Sequence, residues 1–130
     1  MIMQAKGSFE VKSWDEKPYS EGDGQPKLVR AEVVYAYHGD LEAEGKIVYL
    51  MCYSGNNIAY FIGYDEVTGR LGDRQGSFVM QHVGTYEAGA VKDTLTIVPG
   101  SATGGLSGLQ GSGVCGGDGE AKVTLNYELV

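Results

Sequence analysis

An alternating ladder that runs into a dense glycine corner constrains this chain more than any other feature. Residues 76–111 read GSFVMQHVGTYEAGAVKDTLTIVPGSATGGLSGLQG. Phe78, Met80 and His82 fall on one face, and Val79, Gln81 and Val83 on the other. Such period-two patterning is that of a strand. Glu87-Ala88-Gly89 supplies a turn, and Val91, Leu95 and Ile97 then oppose Lys92, Thr94 and Thr96. Pro99-Gly100 ends that ladder, because proline has no N–H to donate and glycine accepts positive φ. Gly104, Gly105, Gly108, Gly111 and Gly113 follow closely and start a further strand. Glycines so spaced permit bulges, strong coiling and close backbone approach, the devices of a sheet that closes on itself. The pattern predicts an all-β, closed antiparallel barrel in a single domain over residues 1–130.

The rest of the chain fits that expectation. Strands are predicted over residues 6–14, 28–38, 41–53, 58–67 and 121–129, giving about eight in all, with no convincing amphipathic helix. Residues 15–27 are polar, carry Pro18, Gly22, Gly24 and Pro26, and read as a long irregular connector, with a loop over a barrel mouth as the functional alternative. Gly39-Asp40, residues 54–57, residues 68–73 and residues 116–119 read as turns or loops. Gly45 is expected to mark a bulge or bend. Residues 58–67 are apolar on both faces, as expected of a wall that also packs on a neighbouring subunit.

Charge and cysteine usage exclude several function classes. A net charge of −7 with scattered basic residues argues against nucleic-acid binding. No apolar run is long enough to span a bilayer, and the N-terminus has no secretory apolar region, so a cytoplasmic protein is expected. Cys52 and Cys115 show no metal or redox spacing and read as free thiols, Cys115 in a glycine-rich loop. With only His38 and His82, a multi-histidine metal site is not expected, and no cofactor is implied. The glycine corner lacks the Lys-Ser/Thr ending of a phosphate loop.

Several stretches together resemble a family of small uncharacterised bacterial proteins, the domain of unknown function DUF3224. They are GSFEVKSWDEKPY at 7–19, GDLEAEG at 39–45, YLMCY at 49–53, GSFVMQHVGTYEAG at 76–89, VPGSATGGLSGLQGSG at 98–113 and LNYEL at 125–129. Ala102 and Ser112 depart from the residues expected there. The family in turn resembles the allene-oxide-cyclase-like barrels. That resemblance implies eight antiparallel strands, oligomers, and relatives that guide reactive small molecules inside a barrel. It implies no catalytic residue for this chain.

The residues themselves offer two sets of candidates. Glu44 and His82 are the acid–base candidates: Glu42 and Glu44 share a strand face, and His82 lies beside Phe78, Met80 and Tyr86. A solvated strand end and a satisfied core histidine are the plainer readings. Asp93 shares a face with Leu95 and Ile97, so an inward Asp93 needs a partner or a raised pKa. Tyr35, Tyr49, Tyr60 and Tyr127 are candidates to line a pocket and bind a ligand, with core filling as the plainer role. The leading expectation is a homo-oligomeric barrel that binds a small hydrophobic molecule. An isomerase or cyclase acting on such a molecule, and a non-catalytic assembly protein, are the alternatives.

Overall fold

The computed structural model describes residues 2–24, 26–55, 57–117 and 121–130. Nine strands are present among the described residues: β1 (Met3–Ser20), β2 (Lys27–Gly39), β3 (Leu41–Ser54), β4 (Ile58–Leu71), β5 (Arg74–Glu87), β6 (Ala90–Ile97), β7 (Thr103–Gly104), β8 (Leu109–Gly117) and β9 (Lys122–Leu129). All pair antiparallel. The eight long strands follow one another around a ring, which β1 and β9 close. β7 is a two-residue excursion that pairs with Gly76 and Ser77 of β5.

Alternation along each strand places one side-chain set inside. On β3 these are Leu41, Gly45, Ile47, Tyr49 and Met51, and on β2 they are Val29, Ala31, Val33, Tyr35 and Tyr37. The glycine corner closes one end of the ring. Gly108 holds a φ of +86°, and an added Cβ would stand 2.3 Å from the Val130 carbonyl. That tight turn drives Leu106 and Leu109 into the core, where both are buried.

The other end is less complete. β1 pairs with β9 only from Met3 to Ser8, and the Phe9 N–H adds one bond to the Ala121 carbonyl. Beyond that point β1 outruns β9 and pairs, among the described residues, with β2 alone. This half of β1 is an edge strand, which is why Pro18 fits within it and why Glu10, Lys12, Asp15 and Lys17 decorate it. A register shift between Val11 and Ser13 reverses the alternation at Lys12, so that Val11 and Trp14 both line the interior cavity.

Four local expectations need correction. Residues 15–20 are strand rather than loop, because pairing with β2 continues to Ser20. β4 likewise runs through to Leu71. Cys115 lies within β8, paired with Asp93 and Val123, and it and Cys52 are free thiols. Gly45 makes no bulge, since register is unbroken on both sides of it; its role is to leave space. The turn expected over residues 116–119 and the position of Asn56 fall partly outside the described residues.

Candidate ligand-binding site

The half-open end of the ring holds a cavity of about 370 Å³. Its wall is mainly aromatic: Phe9 and Trp14 from β1, Tyr35 from β2, Tyr49 and Tyr53 from β3, and Phe61 from β4. These rings brace one another. Trp14 stacks on Tyr49 at 6.1 Å, Phe61 meets Tyr49 edge-on at 5.2 Å, and Phe9 meets Tyr35 edge-on at 5.3 Å. At the rim, Glu16 accepts hydrogen bonds from Trp14 Nε1 at 2.7 Å and from the Tyr53 hydroxyl at 3.2 Å. Trp14 is 42% exposed, so the cavity reaches solvent beside the half of β1 that pairs with β2 but not with β9.

Below this cavity lies a polar cluster in an otherwise apolar core. His82 on β5 sits between β4 and β6, and a carboxylate reaches it from each. Its Nδ1 lies 2.6 Å from Asp93 Oδ2 and its Nε2 lies 3.0 Å from Asp65 Oδ2. The Tyr37 hydroxyl donates to the same Asp65 oxygen at 2.5 Å. An imidazole can donate from both nitrogens only when protonated. Burial opposes that charge, but hydrogen bonds to Asp65 and Asp93 outweigh it and push the His82 pKa up to about 9. Burial pushes the Asp93 carboxyl up, against the pull of His82. Burial also raises the phenols of Tyr35, Tyr37 and Tyr49, which stay neutral. The Tyr35 and Tyr49 hydroxyls share a hydrogen bond at 3.0 Å, and Tyr49 approaches His82 Nδ1 at 3.5 Å.

Small residues make room for this cluster. An added Cβ at Gly45 would stand 2.5 Å from Asp65 Oδ1, and one at Gly63 would stand 2.8 Å from Tyr49 Cδ1. Asp65 Oδ1 and Asp93 Oδ1 are buried without a hydrogen-bond partner among the described residues. The two differ in setting: Asp93 belongs to the cavity wall, and Asp65 does not.

A family model described as protein of unknown function (DUF3224) matches residues 5–129. The chain belongs to the DUF3224 family. A crystal structure at 1.84 Å of a DUF3224 protein of unknown function from Shewanella oneidensis MR-1 is similar over its length. It shares 28% identity with a TM-score of 0.77, covering 100% of this chain and 98% of that one. No curated protein matches.

In this DUF3224 chain the residues expected to carry function separate into three groups. Tyr35 and Tyr49 line the cavity, and His82 lies behind it, fully buried. Tyr127 is buried near the closed end, its hydroxyl 3.3 Å from where a Cβ on Gly72 would stand, and lies outside the cavity wall. Glu44 and Tyr60 point away from the interior altogether. Glu44 is exposed beside Lys46, and Tyr60 is 50% exposed on the outer wall. Neither is placed to serve an interior site. Asp65 and Trp14 are not among the site residues that the sequence points to. The inner face of β4 reads Ala59, Phe61, Gly63, Asp65 and Val67, and its outer face, with Tyr60, Ile62 and Tyr64, is the more apolar. Hydrophobicity alone therefore favours the wrong face. The signal for Asp65 was its alternation with Phe61 and Val67.

Proposed function

We propose that this DUF3224 barrel binds a small, mostly apolar molecule in the cavity at its half-open end. The observation that carries this reading is the aromatic cavity itself, braced by ring contacts yet open beside β1. Catalysis by His82 is less well supported, because both ring nitrogens are engaged by carboxylates and the imidazole does not line the cavity. The neutral fluorophore N-phenylnaphthylamine is expected to bind saturably, with a blue-shifted emission. Ala59→Trp places an indole in the cavity from β4 and is expected to weaken that binding about tenfold or more, as loss of a buried apolar contact does. Absence of saturable binding to the unaltered protein would reject the reading.

The homo-oligomer belongs to the same proposal. Leu50, Ile62 and Val83 form one outward row across β3, β4 and β5, with Val48 and Tyr64 beside them. All five are exposed. With a net charge of −7, two copies repel one another least where the surface carries no charge, and this patch is such a place. A second copy is therefore its occupant. Light scattering is expected to give a multiple of the chain mass, and Ile62→Glu to return the protein to a monomer. A monomeric mass for the unaltered protein would refute it.

A further inference from the structure

Among the described residues one carboxyl group, that of Asp93, lines the cavity, and its chemistry narrows the ligand. Asp93 is only 6% exposed, and its Oδ2 is taken by His82 Nδ1 at 2.6 Å. Asp93 lines the cavity, and its other oxygen is buried with no side-chain hydrogen-bond partner among the described residues, the Val83 N–H alone lending the carboxyl backbone support. A buried carboxylate oxygen left unpaired is costly, and a donor from a ligand relieves that cost. No lysine or arginine lines the cavity among the described residues, and the protonated His82 engages the other oxygen of Asp93. Two carboxylates share one imidazole in the cluster, which leaves one negative charge in excess when all three are ionised. The rings of Trp14, Tyr49 and Phe61 surround the same space, and an aromatic face turned towards it suits a cation. Glu16 at the rim adds a negative charge on the entry side.

We propose, resting on the binding reading above, that the occupant is an amphiphilic amine, whose ammonium group donates to Asp93 Oδ1 while its apolar body fills the aromatic cavity. An anionic ligand of the same shape would set its charge against Asp93 and is excluded. This choice of ligand sign goes beyond the apolar character of the pocket.

Calorimetry with three probes that share one apolar body tests it: naphthylethylamine, naphthylethanol and naphthylacetate, on the full chain near neutral pH. The amine is expected to bind about tenfold or more tighter than the alcohol, the gain typical of a hydrogen bond to a charged group, and the acetate weakest. Asp93→Asn is expected to remove the preference for the amine over the alcohol while the alcohol still binds. The comparison among probes on the unaltered protein stands even if that variant fails to fold. Equal binding of amine and alcohol, or tightest binding of the acetate, would overturn the amine assignment and leave the apolar pocket intact. Absence of binding by all three would overturn both. A preference for the amine that survives in a folded Asp93→Asn would also overturn it.

Discussion

Replacing His82 with leucine is expected to destabilise the fold by about 3–5 kcal/mol, the usual cost of removing one partner from a buried charge cluster. The imidazole is fully buried between Asp65 and Asp93, and leucine of similar volume would strip both carboxylates of their cationic partner, leaving Asp65 the Tyr37 hydroxyl. The loss of packing is small, so the effect isolates the electrostatics. Adding Asp65→Asn and Asp93→Asn to the leucine variant is expected to recover part of the loss, because neutral amides cost less to bury than unpaired carboxylates. Urea denaturation with an unchanged m-value measures both steps. A His82→Leu variant within about 1 kcal/mol of the parent would mean that the cluster contributes only what an ordinary surface pair does.

The second large effect is on pH. In the folded chain His82 has a pKa raised from 6.5 to about 9. A raised folded pKa means that the native state binds the proton more tightly than the unfolded chain does. The stabilisation is therefore complete below pH 6.5 and is lost as pH rises through about 9. Over that window the loss amounts to about 3 kcal/mol. Asp93 acts with the same sign. Burial raises its carboxyl, so its ionisation at higher pH weakens rather than strengthens the fold. The groups around His82 that could offset this are Asp65 on β4, Tyr35 and Tyr37 on β2, Tyr49 on β3 and Cys115 on β8. The phenols and the thiol have raised pKa values and remain neutral throughout the window. Denaturation midpoints at pH 6.5, 7.5 and 8.5, points chosen within that window, should fall steadily, and the slope should flatten in His82→Leu. A flat or rising profile in the parent would show that His82 is not held protonated.

The two effects come from residues that were unevenly legible in the sequence. His82 stood out because an imidazole interrupts the apolar set Phe78, Met80 and Tyr86. Asp93 stood out for the same reason beside Leu95 and Ile97, and its partner is now seen to be His82. Asp65 did not, because the outer wall of β4 is richer in large apolar side chains than the inner wall. Glu44 drew attention as a paired carboxylate on a strand, yet alternation puts it on the face opposite Gly45 and Ile47. Tyr60 likewise lies on the outer face of β4, opposite Ala59 and Phe61.

Alternation, turn chemistry and the glycine corner determined by themselves that the chain is all-β, where most strands begin and end, and that the sheet could curl. These are local properties, set by the period-two geometry of extended backbone and by the φ that glycine alone adopts easily. Tertiary structure alone decided which face of β4 turns inward, how far β1 outruns β9, and that Asp65, His82 and Asp93 meet from three neighbouring strands. Those outcomes depend on register between segments distant in sequence. Only the closed ring brings Trp14 against Tyr49, or leaves beside Asp93 a space that no side chain fills.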